Sequence, residues 1–288
     1  MIPCLILSAA LLGVLAASLW LVRQKHRQLF AHFSERTGHL RREIDLLRRE
    51  IRVLDYYRQS GPQMMYKGRV YFASQNGEDT YIWDFFERRP SGFFIEAGAA
   101  DGIQFSNTYW LEAVGWKGLL VEAHPQLAEQ CGRNRPNSRT VLSALDSQAG
   151  GTLQFHCVDH RKAPGLLSFI EADESHLTRC REKGHVIRVV EVPRTSLNEL
   201  CQTLDQQIDL VSLDLEGREL RVLKGFDLRR HKPRLLVVEA TSRDQTSALE
   251  EYLRGFDYHV GFRLAENLFF GQSADLDRLR RISNALGC

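Results

Sequence analysis

The sequence predicts a three-layer α/β sandwich preceded by a membrane-spanning helix and a coiled-coil stalk. Three observations carry that reading. Short apolar runs alternate with helical patterns from residue 93 to residue 271, as buried parallel strands joined by crossover helices do. The first run, Phe93 to Ala97, passes into the small-residue turn Glu96-x-Gly98-x-x-x-Gly102, where backbone N–H groups can approach a ligand closely. The chain also opens with an uncharged stretch, Ile2 to Val22, followed by a heptad-like segment.

Composition sets the bounds. The 288 residues, 43% of them apolar, suffice for a packed core. With 38 basic against 36 acidic residues the formal charge is +2, which leaves no field to gather a polyanion, and nucleic acid is not expected as a partner. Cys4, Cys131, Cys157, Cys180, Cys201 and Cys288 lie far apart with no C-x-x-C pair. They read as reduced thiols, with a disulfide-linked secreted chain as the alternative.

Ile2 to Val22 is long enough at about 1.5 Å per residue to cross a bilayer. No basic residue precedes it, so it reads as a single-pass anchor and not a cleaved signal. Arg23, Lys25 and Arg27 follow directly, which places the remainder of the chain in the cytosol by the positive-inside rule. From residue 23 to 60, Phe33, Leu40, Ile44, Leu47, Ile51 and Leu54 keep a heptad seam between charged flanks. That spacing suits a parallel coiled coil, hence a homodimer; the alternative is one amphipathic helix folded back on the domain.

Gly61-Pro62 ends the stalk, and the globular domain is expected over residues 66–288. Ser74-Gln-Asn-Gly-Glu-Asp79 reads as a polar turn positioned to fold over a ligand, with a helix from Tyr81 to Phe86. After the Phe93–Ala97 strand, Ser106-Asn107 caps a helix running to Glu112. Leu119 to Glu122 is the second strand, its terminal carboxylate placed to accept ribose hydroxyls. Pro125 opens the next helix and Thr140 to Leu145 gives the third strand. Gly150-Gly151 turns into an antiparallel strand, Thr152 to Val158. Residues 159–185 are irregular, the spacing of His160, His176 and His185 matches no metal site, and the segment reads as a substrate-facing or surface insertion.

Val186 to Val192 reads as a further strand, and Ser196-Leu-Asn-Glu199 is a capping box for a helix to Leu204. Ile208 to Asp214 is a buried strand delivering Asp214 and Glu216 at its C-terminal edge, where α/β enzymes keep their chemistry. A helix from Arg218 to Lys224, a strand from Arg234 to Glu239 and a helix from Ser247 to Arg254 follow. A hairpin of Tyr258–Phe262 with Leu268–Gly271 and a helix from Asp275 to Leu286 complete the chain.

Gly98 and Gly102 are separated by three residues, so the spacing is not the G-x-G-x-x-G of nicotinamide enzymes. An acid two residues before the first glycine instead favours a nucleoside carrying a cationic amino-acid part, namely S-adenosylmethionine. The succession Ser74–Asp79, Gly92–Gly102, Ser106-Asn-Thr108, Leu111-Glu112, Gly115–Glu122 and Asp214-Leu-Glu-Gly-Arg-Glu-Leu-Arg-Val-Leu-Lys-Gly225 resembles FkbM-family methyltransferases over about residues 70–271.

That resemblance implies the class I methyltransferase sheet, Rossmann-like, with seven strands and the last antiparallel. It puts S-adenosylmethionine over the first two strand ends. Gln75, Glu96, Gly98, Ala99, Gly102 and Asn107 fall on the cofactor side, Glu122 on the ribose and Asp146 near the adenine. Ala100 departs from the commoner glycine. The family's reaction implies O-methylation of a sugar, glycan or secondary-metabolite hydroxyl. Asp214, Glu216 and Glu239 are the candidate bases, Asp214 first, against the reading that Asp214 and Glu216 merely cap the next helix. No third oxygen ligand accompanies them, so no metal is expected. An inactive, tethered interaction protein and a nicotinamide oxidoreductase are the competing readings.

Overall fold

A computed structural model describes residues 72–159, 168–170 and 185–286, with isolated positions at 25, 40, 47, 178 and 182. The chain divides into two units, Met1–Ile51 and Arg52–Cys288, and the fold below belongs to the second. The expected anchor, and the expected stalk apart from positions 25, 40 and 47, lie outside the described residues. Among the described residues no helix is long and apolar enough to cross a membrane.

Seven strands form the main sheet: β1 (Phe93–Ala97), β2 (Lys117–Glu122), β3 (Arg139–Leu142), β8 (Leu210–Leu213), β9 (Leu235–Glu239), β10 (Tyr258–Leu264) and β11 (Asn267–Gln272). Their order is β10-β11-β9-β8-β1-β2-β3. Only β11 runs antiparallel, between β9 and β10. The order reverses between β1 and β8, the crevice where open α/β sheets bind ligands.

Both faces of β1 and β2 are apolar, as a doubly covered parallel sheet requires. Ile95 and Val121 face one core with the helices α4 (Leu197–Cys201), α5 (Glu219–Leu223) and α7 (Arg243–Arg254). Phe94 and Leu120 face the other, with α1 (Glu78–Phe85), α2 (Tyr109–Ala113), part of α3 (Pro125–Asn134) and α8 (Leu276–Leu286). A short helix α6 (Leu228–His231) leads into β9.

The sequence reading needs four corrections. The expected third strand, Thr140 to Leu145, is two: β3 ends at Leu142, and β4 (Ala144–Leu145) joins a separate sheet. That second sheet, β4-β7-β5-β6, is built from β5 (Thr152–Asp159), β6 (Phe169–Ile170) and β7 (Val186–Thr195). The chain is thus more than one three-layer sandwich; the turn at Ser143 redirects it because the Ser143 N–H donates to the Glu122 carbonyl (3.0 Å) and its hydroxyl to the Pro193 carbonyl (2.7 Å). Glu78 and Asp79 are not turn residues but the first turn of α1, where acidic side chains suit the helix dipole. Finally, α7 starts at Arg243 and not at Ser247, because Ser242 and Gln245 form a reciprocal capping box.

Candidate functional site

An open recess lies over the C-terminal ends of β8, β1, β2 and β3, where open α/β sheets bind their ligands. Gly98 forms its floor beside β8. It sits at φ +79°, and a Cβ there would lie 1.9 Å from the Asp214 carbonyl oxygen. The turn is pinned to β2 as well, since the N–H groups of Gly98 and Ala99 both donate to the Val121 carbonyl (3.0 and 3.2 Å). Ala100 follows at φ +47°, a left-handed geometry that glycine would hold without strain.

Glu122 lines the recess from β2. One of its carboxyl oxygens accepts the Ala100 N–H (2.8 Å) and the other the His124 N–H (2.7 Å). A carboxylate has about four lone-pair sites, so these bonds leave room for a ligand hydroxyl. Burial pushes this carboxyl up to about 7, against those backbone hydrogen bonds.

The remainder of the turn is held from beneath. Glu96, expected on the cofactor side, is buried and spends its carboxylate on Ser106 Oγ (2.8 Å), Asn107 N–H (2.7 Å) and Thr108 Oγ1 (2.7 Å). Asn107 Nδ2 in turn donates to Ser212 Oγ (3.0 Å). Arg135, fully buried, donates to the Gly102 carbonyl (2.9 Å), to Glu112 (2.8 Å) and to Thr108 Oγ1 (3.0 Å), and lies 3.6 Å from Glu96. Gly102 has φ +82°, and a Cβ there would press on Arg135 and Cys131. Glu96, Gly102 and Asn107 thus shape the loop from within the protein.

Asp214 and Glu216 line the recess on the β8 side. Neither caps α5; the buried Glu219 instead folds back to accept the N–H groups of Leu215 (2.7 Å) and Gly217 (3.1 Å), fixing the intervening turn. Glu216 and Gly217 are both left-handed, at φ +53° and +96°. Asp214 and Glu239 are close enough for each to act on the other's protonation. Although Asp214 keeps solvent-accessible surface, protein crowding around its carboxyl raises it, and the charges of Glu78, Glu96 and Glu266 add to the effect. Glu239 is raised by partial burial and by Asp214, Glu216 and Glu219; Glu216, although its side chain is exposed, is pushed up to about 7 by crowding protein atoms and by the Asp214 charge.

Two predicted residues stand elsewhere. Asp146 is buried, but Arg221 Nε (2.6 Å) and Arg218 Nη2 (3.1 Å) take its carboxylate, and Arg221 and the Ser147 N–H help hold it below the usual carboxylate range despite burial. Gln75 is exposed, next to Ser74, which bridges to Phe105. Phe155, Ser168 and Phe169 of the second sheet line the recess and were missed. Their signal was the alternation Leu153-x-Phe155-x-Cys157, which marks an inward face without saying what it faces. Among the described residues no group of three or more His, Cys, Asp or Glu could hold a metal ion.

The Methyltransferase FkbM domain matches residues 96–263, more than half of the chain. The chain belongs to the FkbM methyltransferase family. Among solved structures it is similar to precorrin-6y C5,15-methyltransferase from Geobacter metallireducens, at 10% identity and a TM-score of 0.39, covering 69% of this chain and 88% of that one. It is also similar to human methyltransferase 10 domain containing protein, at 12% identity and a TM-score of 0.38, covering 67% and 77%. A third is TrmK from M. capricolum in complex with S-adenosylhomocysteine, at 9% identity and a TM-score of 0.34, covering 63% and 61%. Comparison with curated protein sequences gives no match. The donor that goes with an FkbM methyltransferase is S-adenosylmethionine, and the recess fits it: the Gly98 turn and the buried Glu122 carboxyl line it side by side.

Proposed function

We propose that this FkbM-family protein transfers the methyl group of S-adenosylmethionine to a hydroxyl oxygen of a sugar, glycan or secondary metabolite, with Asp214 taking the hydroxyl proton. The single observation that carries the reading is the recess itself, in which the Gly98 turn, the Glu122 carboxyl and Asp214 lie together. Bound there, S-adenosylmethionine supplies a methyl already activated on a sulfonium. The chain's own residues then have two tasks, to hold the acceptor oxygen in line and to remove its proton. Asp214 suits the second, because crowding and neighbouring carboxylates lift its proton affinity above that of a free aspartate. Glu239 and Glu216 both feel the Asp214 charge and are the alternative bases.

In this reading residues 1–22 anchor the protein to a membrane, residues 23–60 form a dimerising stalk, and residues 66–288 work on the cytosolic side. The full-length protein, incubated with methyl-labelled S-adenosylmethionine and a glycan or membrane extract, should label a hydroxyl-bearing component. Donor binding with label confined to nitrogen or carbon would end the O-methylation reading. Asp214→Asn should lower kcat by about a hundredfold, within the usual range for a general base, while donor Kd stays within about twofold. Matching losses in kcat and Kd would contradict the assignment.

Glu122 gives a pH signature. Hydrogen bonds from ribose hydroxyls favour its ionised form, and only half of the carboxyl is ionised at about pH 7. The Kd for S-adenosylhomocysteine should therefore fall roughly tenfold from about pH 6 to about pH 8 and then level off. Unliganded stability runs the other way: the contribution of this raised carboxyl is fully present below about pH 4.5 and is lost as pH rises through about 7. A Kd flat across that window, by calorimetry, would remove Glu122 from the ribose.

A further inference from the structure

The main sheet carries a second recess at the opposite end, where β1, β2 and β3 begin. Parallel register sets Phe93 of β1 beside Lys117 of β2, and Leu119 of β2 beside Arg139 of β3. Side chains two apart on a strand share a face, so these four leave the sheet on the side of the core that holds Phe93 and Leu119. Helix α4, which packs in that core, ends at Cys201, and the chain beyond it brings Leu204 and Gln206 to the recess. The result is an apolar floor under a polar mouth. Phe93 and Leu119 are 6% and 0% exposed, whereas Lys117, Asn137, Arg139 and Gln206 are exposed around them.

The charges at that mouth select the ligand. Lys117 and Arg139 are diagonal neighbours, one strand and two residues apart, which puts their Cα atoms roughly 8 Å from each other. Two side chains of that length converge on one anion between them. Among the described residues neither has a carboxylate partner. The buried acids close by are already answered: Asp209 accepts the Phe93 N–H (3.0 Å) but pairs with Arg89, and Glu112 pairs with Arg135. Asp205, exposed on the stretch from 202 to 207, is its one acid, so two cations face one carboxylate, and the Asn137 and Gln206 amides add donors. An inorganic anion would meet the cations and leave the floor bare; a neutral hydrocarbon would do the reverse. A flat aromatic body carrying one carboxylate satisfies both. From Phe93 to Ala97, the residue before Gly98, β1 runs roughly 13 Å, so such a ligand and the donor occupy opposite ends of the same strands and do not compete.

We propose that this recess is a second binding site, separate from the donor recess, which takes a small aromatic carboxylate with its acid group between Lys117 and Arg139 and its ring on Phe93 and Leu119. The proposal does not depend on the donor reading. The test is fluorescence titration of the full-length protein with 2-naphthoate, beside two comparison probes, the neutral 2-naphthalenemethanol and inorganic phosphate. Naphthoate should saturate one site with a Kd of about 1 mM or tighter. The alcohol should bind at least about tenfold more weakly, because it gives up the charged hydrogen bonds, and phosphate should be weaker than naphthoate as well. Excess S-adenosylhomocysteine should leave naphthoate binding unchanged. The double variant Lys117→Gln with Arg139→Gln should lower naphthoate affinity at least about tenfold, while its affinity for S-adenosylhomocysteine stays within about twofold of the parent. Circular dichroism melts identify a variant that fails to fold, and Arg139→Gln alone, with an expected loss of about threefold to tenfold, then carries the test. Absence of saturable naphthoate binding, its displacement by S-adenosylhomocysteine, equal binding of the alcohol or of phosphate, or wild-type affinity in the folded variants would each overturn the assignment.

Discussion

Gly98→Ala is expected to yield a folded protein whose affinity for S-adenosylmethionine and its demethylated product is largely lost. The added Cβ would stand 1.9 Å from the Asp214 carbonyl oxygen, less than any non-bonded carbon and oxygen tolerate. The left-handed φ of +79° adds about 1 kcal/mol for a residue with a side chain. Relief requires moving either the turn or the end of β8, and both line the recess. Each movement misplaces a backbone that must lie against the ligand, so affinity should fall by at least about a hundredfold, about 2.7 kcal/mol. Calorimetry on folded Gly98→Ala protein reads this directly, and an unchanged Kd would remove the first turn from the donor site.

The second large effect is on stability. Arg135→Met should destabilise the fold by about 3 to 5 kcal/mol, the range for breaking a buried ion pair from one side. Methionine replaces much of the volume but none of the donors. Glu96 and Glu112 would stay buried with a major cation gone, and the Gly102 carbonyl would lose its partner. The guanidinium also lies over the Phe94 and Tyr109 rings, at 5.4 and 5.6 Å, adding a cation–π contribution. Urea unfolding measures the loss; a change below about 1 kcal/mol would mean that this network is dispensable. Such a variant leaves Glu122 and Asp214, the residues proposed for the donor's ribose and the acceptor's proton, chemically intact, so residual binding at low temperature would separate scaffold from site.

The two cores of the main sheet were readable because their signal is local. Phe93-Phe-Ile-Glu-Ala97 and Leu119-Leu-Val-Glu122 are apolar on both faces, and only a doubly covered parallel strand tolerates that. The glycine turn was readable for a similar reason, since Gly98 and Gly102 both adopt conformations that side chains resist. Partnership across the sequence was not readable. Nothing near Glu96 announces that Ser106, Asn107 and Thr108 will consume its carboxylate, nor near Asp146 that Arg218 and Arg221 will consume it, 72 and 75 residues further on. Carboxylates at strand ends look alike in one dimension, whether they face a ligand or a buried arginine. The second sheet escaped for another reason: an alternating strand declares its inward face but not which sheet it joins.

The bond from Asn267 Nδ2 to Glu78 Oε1 (3.0 Å) spans 189 residues, and Glu78 also receives the backbone and side-chain N–H groups of Asn76. The polar segment before α1 is thereby stapled to the penultimate element of the fold. During synthesis the residues from Phe93 to Asp146 leave the ribosome long before Asn267 does. The rim beside Glu78 therefore reaches its final arrangement only when the closing hairpin arrives, one of the most non-local steps in the formation of this domain.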